Sequence, residues 1–136
     1  MLKSKQEVIE SLKARGVRPT VHRVALAMHI LKEHRHFTAD ELFIWAEANL
    51  DKVSRATIYN CLNEFVAVGL IRAFYSSESS RLIYDSNNAN HFHFYDSKTN
   101  QIFDIAPDQV QINSSQLSGY EIDQVDVVFR GRRIET

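Results

Sequence analysis

The chain has 136 residues, with 16 Lys and Arg against 17 Asp and Glu, and a formal net charge of -1 when its six His are neutral. Its hydrophobic fraction of 44% and charged fraction of 24% are typical of soluble globular proteins, which excludes disordered and collagen-like classes. Because no apolar run approaches the roughly 20 residues that cross a bilayer, and charges replace a signal-peptide core near the start, we expect a cytoplasmic protein.

The single cysteine, Cys61, excludes an internal disulfide and a CxxC zinc site, so any bound metal must use other ligands. We interpret Cys61 as a buried structural thiol in preference to a redox switch, because no feature of the sequence around it favours a reactive thiolate.

The charges are divided unevenly along the chain. Residues 1–84 carry twelve cations against nine acids, whereas residues 85–136 carry four cations against eight acids. A basic half joined to an acidic half suggests that only the first half meets a polyanion such as DNA.

The N-terminal half predicts four helices followed by a β-hairpin. Helix starts are indicated by hydroxyl caps at Thr20, Thr38 and Ser54, and helix ends by Gly16 and Gly69. Apolar positions recur with helical spacing at Val8, Ile9, Leu12; at Val24, Ala27, Met28, Leu31; at Leu42, Trp45, Ala46; and at Ile58, Leu62, Phe65. Two strands, 70–75 and 81–84, are expected around a polar turn at 76–80. This order predicts a winged helix-turn-helix domain over residues 1–85.

The exposed side of the fourth helix is the candidate DNA-reading surface. It offers Arg55, Thr57, Tyr59, Asn60 and Asn63. Arg and Asn bond bidentately to guanine and adenine edges, while Thr and Tyr reach phosphates or the thymine methyl group. A simple solvated helix face is the alternative, and the helix-turn-helix order favours DNA.

The C-terminal half predicts strands. We expect strands at 91–95, 101–105 and 120–130, a turn at 96–100, and either a short helix or a loop at 107–119. A sheet of about three strands is marginal alone, so we expect residues 86–136 to form a small α/β dimerisation domain that also senses metal. The fold class of the whole chain is therefore α+β.

A group of His and Asp residues predicts a metal site. His91 and His93 are two apart in a predicted strand and point to the same side. Asp104 lies opposite His93 if the intervening turn has four residues, and points away if it has five. His36 and Asp85 could complete a site between the two halves. Three imidazoles and two carboxylates without a thiolate suit iron(II), manganese(II) or zinc(II).

Four segments carry a resemblance to the ferric uptake regulator family: GVRPT at 16–20 with Arg23, HFTADEL at 36–42, SRATIYNCLNEF at 54–65, and GLI at 69–71. The resemblance implies a homodimeric, metal-responsive transcriptional regulator, most simply a repressor, that binds a roughly palindromic double-stranded DNA operator and no membrane. It adds Arg18, Thr20 and Arg23 to the DNA-binding residues. An ion that bridges the two domains would fix the angle between them and so set operator affinity.

Within that family, this chain resembles two branches. The peroxide-responsive repressors hold regulatory iron or manganese with residues that match His36, Asp85, His91, His93 and Asp104, and there iron(II) and peroxide oxidise a ligand histidine. The ending, GYEI at 119–122 and VDVVFRGRR at 125–133, resembles the iron response regulators, which sense iron through haem. Phe92 replaces the middle of their three consecutive histidines.

Two departures from the family are visible. The two CxxC pairs of its structural zinc are absent, so no structural zinc is expected. A further metal site seen in some family members is also absent, because its ligand positions hold residues that are not ligands: Asn90, Phe92, Gln111 and Val125. The competing interpretations are a non-haem iron enzyme with two His and one carboxylate, and a metal-independent DNA-binding protein with vestigial ligands.

Overall fold

The computed structural model describes residues 4–76, 81–113 and 117–134. The chain divides into two compact units, residues 1–88 and residues 89–136, and each is described by itself. Helices dominate the first unit and strands the second, which confirms the predicted α+β class.

The described residues of the first unit form four helices: α1 is Lys5–Ala14, α2 is Val21–Leu31, α3 is Ala39–Asn49 and α4 is Arg55–Ala67. Each helix begins at a hydroxyl residue whose oxygen accepts a hydrogen bond from a backbone N–H three residues on. The predicted caps Thr20, Thr38 and Ser54 are confirmed, and Thr38 also forms a capping box with Glu41.

The hydrophobic core of the first unit lies between these helices. Leu12, Leu62 and Phe65 are fully buried, as their spacing predicts. The buried face of α2 is wider than predicted, because Leu26 and Ile30 are buried as well. Trp45, expected on the buried face of α3, is only partly buried.

A three-stranded antiparallel sheet completes this unit. Its strands are β1, His36–Phe37; β2, Arg72–Ser76; and β3, Arg81–Asp85, in the order β1-β3-β2. The hairpin strand predicted at 70–75 begins two residues later, because Leu70 and Ile71 are buried in the helical core after the turn at Gly69, where φ is 73°. Ser76 belongs to β2, and the rest of the expected turn, 77–80, lies outside the described residues. The two-residue strand β1 was too short for a sequence pattern to predict.

The second unit is built on another three-stranded sheet. Its strands are β4, Phe92–Asp96; β5, Gln101–Ile105; and β6, Val128–Gly131. The strand β4 is central, antiparallel to β5 and parallel to β6. The turn between β4 and β5 has four residues, 97–100, and places Asp104 opposite His93. This confirms the register on which the Asp104 prediction depended. Pro107–Gln109 forms one turn of 3-10 helix.

The strand predicted at 120–130 is largely wrong. Only Val128–Gly131 is a strand, paired with β4 from His93 to Asp96, and residues 120–127 are irregular. Alternating apolar and polar residues mark a half-buried strand only where a neighbouring strand is available. Tyr120 and Ile122 are 76% and 41% exposed, so these two apolar residues at the start of the predicted strand are not buried in the described structure.

In the described part of the chain, no helix combines the length and the apolar character that a membrane crossing requires.

Candidate metal and nucleic-acid sites

The first unit holds two of the predicted metal ligands on adjacent strands. His36 of β1 lies opposite Asp85 of β3, and its Nε2 is 3.1 Å from the Asp85 Oδ2. The Asp85 side chain is 1% exposed, and the Asn87 backbone N–H donates to its Oδ1 over 2.9 Å. A buried carboxylate requires such polar partners, since removing its charge from water is costly.

Ser86 fixes the loop that leads into His36, a role that sequence analysis missed. Its Oγ accepts from the Arg35 N–H at 2.9 Å and donates to the Glu33 carbonyl at 2.9 Å. The Ser86 N–H donates to the Arg35 carbonyl at 3.1 Å. These bonds join the residue after Asp85 to the residue before His36, so they hold the two ligands in register. A serine beside a ligand is too common for its sequence position to signal this role.

The second unit brings together the other three predicted ligands. His91 Nε2 is 3.5 Å and His93 Nε2 is 3.9 Å from the Asp104 Oδ1. The two imidazole rings meet edge to face, with centroids 4.7 Å apart. Both His side chains are buried, whereas Asp104 is about one-third exposed.

A backbone contact fixes the tautomer of the neutral His91 ring. Its Nδ1 lies 2.6 Å from the Ala89 carbonyl oxygen, which only accepts hydrogen bonds, so the Nδ1 carries the proton. In the neutral ring, the Nε2 is then the nitrogen with the lone pair, and it lies on the side that faces Asp104. In a metal-binding histidine, the ring nitrogen that does not bind the metal usually donates a hydrogen bond to an acceptor such as a backbone carbonyl.

The donor sets of both units fit a divalent ion. Two atoms bound to one ion at about 2.0–2.2 Å are at most about 4.4 Å apart. The separations of 3.1 Å in the first unit, and of 3.5 and 3.9 Å in the second, are within that limit. Nitrogen and carboxylate donors without sulfur are the ligands of iron(II), manganese(II) and zinc(II). Two or three donors alone leave such an ion with open positions.

A cavity of about 300 Å³ in the first unit adjoins His36 and is lined by both acidic and basic side chains: His29, Glu33, Arg35 and Glu41. His29 stacks on Trp45, with ring centroids 3.7 Å apart, and its Nε2 accepts from the Arg35 guanidinium at 3.0 Å. Burial, and then the Arg35 and Lys32 charges, lower the pKa of His29 to about 4. His29 is therefore a neutral packing residue, consistent with its exclusion from the predicted ligands.

The remaining histidines also lie apart from the ligand groups within the first unit. The His22 Nε2 donates to the Asp51 carbonyl over 2.9 Å, and His34 is exposed in the loop after α2.

The predicted DNA-binding residues cluster around a groove in the first unit. The groove has a volume of about 370 Å³, and five of them line it: Arg18, Thr20, Arg23, Thr57 and Asn60. Tyr59 and Asn63 are exposed on α4, and Arg55 is its first residue. Helix α4 thus presents polar side chains at the position of the reading helix in a helix-turn-helix.

Acidic residues that sequence analysis missed are paired with two of these cations. Arg55 Nη1 lies 2.6 Å from the Asp40 Oδ1, and Arg23 Nη2 lies 2.7 Å from the Glu64 Oε2. The Arg55 guanidinium also stacks over the Phe43 ring at 4.5 Å. Asp40 and Arg55 are fifteen residues apart, so only the packing of α3 against α4 reveals the pair.

Cys61 also lines this groove and is 4% exposed. Burial raises the pKa of its thiol to about 12, which fits the predicted structural role.

The chain is similar to characterised proteins over most of its length. Residues 14–130 match the model of the ferric uptake regulator family. The peroxide-responsive repressor PerR of Staphylococcus aureus strain USA300 is 35% identical over 130 residues, which cover 95% of this chain and 85% of that protein. PerR of Staphylococcus epidermidis is 37% identical over 100 residues, 73% of this chain and 65% of that protein.

Solved structures share the fold. The Helicobacter pylori ferric uptake regulator has a TM-score of 0.71 at 15% identity, covering 97% of this chain and 93% of that chain. The Pseudomonas aeruginosa regulator, solved with manganese, has a TM-score of 0.67 at 21% identity, covering 93% and 97%. Streptococcus pyogenes PerR has a TM-score of 0.55 at 24% identity, covering 97% and 92%.

Members of this family are transcriptional regulators, which excludes the enzyme alternative. The extent of the family match, together with the 35% identity to PerR over nearly the whole chain, shows that this protein belongs to the ferric uptake regulator family.

Proposed function

We propose that this protein is a homodimeric repressor whose affinity for its DNA operator depends on one divalent ion per subunit, bound by His36, Asp85, His91, His93 and Asp104. The observation that carries the proposal is that each unit presents a pre-arranged and largely buried part of that ligand set. Neither part alone fills the coordination of iron(II) or manganese(II), whereas the five side chains together supply three nitrogens and two carboxylates.

The bound ion would act by linking the two units. His36 and Asp85 belong to the unit with the reading helix α4, and the other three ligands belong to the unit that we expect to dimerise. An ion held by both would restrict how the reading helices of a dimer are presented to successive major grooves of a roughly palindromic operator. Because metal and DNA then favour the same state, each must tighten the binding of the other by the same factor.

The DNA contacts are assigned to the groove and to α4: Arg18, Thr20, Arg23, Arg55, Thr57, Tyr59, Asn60 and Asn63. The groove joins the start of α2 to the reading helix, so phosphate and base contacts can be made by one surface of the first unit. Cations at Arg18 and Arg23 are suited to phosphates, and Asn60 and Asn63 to adenine edges.

More specifically, we propose that the bound ion is iron(II) and that the iron-bound protein responds to peroxide. The relatives at 35–37% identity are peroxide-responsive repressors, and all five ligand types are present in this chain. Iron(II), when bound, would supply the reactivity toward peroxide, and manganese(II) would support DNA binding without it. The protein itself supplies the ligands and the Ser86 and Ala89 contacts that orient them.

The test is operator binding at one fixed salt concentration, because salt alone changes protein–DNA affinity by orders of magnitude. The operator is selected from random duplexes with the manganese-loaded protein, and affinity is then measured after chelation, with manganese(II), with iron(II) before and after peroxide, and with haem. We expect tight binding with either ion and irreversible loss only when the iron form meets peroxide.

Asp85→Ala and His93→Ala should abolish the metal dependence, while the matched control Asp108→Ala, an exposed acid of the second unit, should leave it intact. Operator binding that is unchanged by chelation would refute the proposal and support a metal-independent regulator. Loss of binding on addition of stoichiometric haem, with no response to peroxide, would instead support haem sensing.

A further inference from the structure

We propose that the second unit carries an anion site for a polyphosphate group, formed by Lys98, Arg132 and Arg133 at one end of its sheet. Its ligand has two or more linked phosphates, either as an inorganic ion or as part of a nucleotide. The site uses none of the metal-binding or DNA-binding residues assigned above, so it can be tested independently of the proposed repressor function.

The cations of this acidic unit are gathered in one place. Residues 89–136 contain only four Lys and Arg: Lys98, Arg130, Arg132 and Arg133. Lys98 belongs to the turn between β4 and β5, and the arginines lie in β6 or directly after it. Because β4 and β6 are parallel and their pairing ends with Asp96 opposite Gly131, that turn and the end of β6 lie at the same end of the sheet. There they line a groove of about 710 Å³: Ser97, Lys98, Arg132, Arg133 and Ile134.

Hydrogen bonds join the two walls of this groove. The Ser97 N–H and Oγ both donate to the Gly131 carbonyl, over 2.9 and 3.2 Å. The buried Asp96 carboxylate accepts from the Lys98 backbone N–H over 2.9 Å, and also from the Arg133 backbone N–H. Asp96 is therefore occupied by backbone donors from both walls, and not by the cationic side chains. The three cations of the groove exceed this one acid by two charges.

The cationic side chains are exposed, and one of them is oriented in advance. In the part of the chain that the structure describes, Lys98, Arg132 and Arg133 form no ion pair with an acid. The Arg133 guanidinium lies over the Phe103 ring, 4.4 Å from the centroid. Stacking of this kind holds the plane of the guanidinium and leaves its N–H edge for an anion. A group that is held before binding loses less conformational freedom on binding.

The chemistry of these cations favours linked phosphates. Arg binds phosphate oxygens bidentately, and Lys binds them as a point charge. A carboxylate offers one charge to three cations, whereas pyrophosphate carries several charges on two groups that separate cations can reach together. The volume of the groove is within the range of small-molecule sites, about 300–1,000 Å³, so a nucleoside attached to the phosphates can also be accommodated.

The groove and the metal ligands of the second unit lie at opposite ends of β4. His93 pairs with Asp104, whereas Asp96, beside the groove, pairs with Gln101. Three residues separate His93 from Asp96, which is about 10 Å along a strand. An anion in the groove therefore does not need a bound metal, and the site can be tested on chelated protein.

The experiment is calorimetric titration of the full-length, chelated protein with pyrophosphate and with ATP, at about 0.05 M salt to limit screening. We expect one site per subunit with a Kd below about 1 mM for at least one of the two. Equal affinities would support a site that recognises the phosphates alone, and tighter binding of ATP would support a nucleotide site.

The variants test each cation of the groove. Lys98→Gln and Arg132→Gln should each weaken binding by about 3- to 10-fold, because each removes a charge-assisted hydrogen bond. Arg133→Lys keeps the charge but loses the stacked fork, and it should also weaken binding. Lys32→Gln, which removes an exposed cation of the first unit, is the matched control and should leave the affinity unchanged. His93→Ala should leave it unchanged as well.

Four outcomes would overturn the inference. They are wild-type protein that binds neither pyrophosphate nor ATP, an equal loss of affinity in Lys32→Gln, and an affinity that depends on Arg18 of the first unit instead of on Lys98 and Arg132. The fourth is a loss of operator affinity in Lys98→Gln and Arg132→Gln with no change in pyrophosphate binding, which would make the groove a contact for DNA. Metal-dependent operator binding is measured separately, so its failure would contradict the proposed function without affecting this site.

Discussion

The stacked pair of His29 and Trp45 gives a test of the fold that involves no bound ion. Burial first, then the charges of Arg35 and Lys32, lower the pKa of His29 from 6.5 to about 4. The unfolded chain therefore binds a proton at this position more readily than the folded protein does. The stability that depends on neutral His29 is complete above pH 6.5 and is lost as the pH falls toward 4.

The expected size of this effect follows from the two pKa values. Lowering the pKa of His29 from 6.5 to about 4 corresponds to a loss of at most about 3 kcal/mol in the free energy of unfolding when the pH falls below 4. Because the His29 ring is only partly buried, solvent screening reduces the expected loss to about 1 to 2 kcal/mol. The expected loss is still a large fraction of the stability of a small domain.

The measurement is urea unfolding at pH 7.5 and at pH 4.5, with a chelator present and circular dichroism as the signal. The variant His29→Gln keeps an acceptor for Arg35 but does not titrate, so its free energy of unfolding should fall by about 1 to 2 kcal/mol less than that of the wild type. His34→Gln, which removes an exposed histidine, is the control. Equal pH dependence in wild type and His29→Gln would show that the His29 environment is not the one described.

Three further predictions test other parts of the structure. Thr38→Ala removes the hydroxyl that accepts from the Glu41 N–H and should lower the free energy of unfolding by about 1 kcal/mol in urea titrations, and an unchanged midpoint would contradict the cap. Leu62→Ala, at a fully buried site, should cost about 2 to 5 kcal/mol in the same assay, and a cost below 1 kcal/mol would place Leu62 outside the core. Asp104→Asn should weaken manganese(II) binding at least about tenfold in calorimetric titrations, whereas Asp108→Asn should not, and equal affinities would remove Asp104 from the ligand set.

The helical half of the fold follows from local chemistry, which is why it was predictable. A hydroxyl side chain that precedes an apolar repeat satisfies free N–H groups wherever it occurs, so Thr20, Thr38 and Ser54 indicate helix starts without any tertiary information. Gly16 and Gly69 end the segments that precede them because they adopt positive φ angles of 76° and 73°.

The opposition of His93 and Asp104 depended on one turn, and the sequence allowed two lengths for it. Asn100 closes the four-residue form at φ 60°, a conformation that asparagine adopts more readily than most residues. A preference of that size is too small to decide the register from sequence alone. The pairing of β4 with β5 in the structure sets the register and places His93 opposite Asp104.

Other features depend on packing between distant segments and carry no local signal. The extent of β6 is set by the length of β4 that is available to pair with it, so the alternation of apolar and polar residues at 124–129 led to a predicted strand that was too long. The charge pair of Asp40 with Arg55 exists because α3 and α4 pack against each other, and each residue alone looks like an ordinary surface charge.

The buried environment of Cys61 determines how readily its sulfur reacts, and therefore what its rate of modification measures. Because burial raises the pKa of this thiol to about 12, very little of it is ionised at pH 7, and ionised sulfur is the form that reacts with peroxide and alkylating reagents. Its oxidation in the folded state is correspondingly slow, so a rapid response to peroxide would have to come from other side chains. Labelling of Cys61 would instead follow transient opening of α2 and α4. The rate at which iodoacetamide modifies this single thiol therefore measures how often the first unit opens.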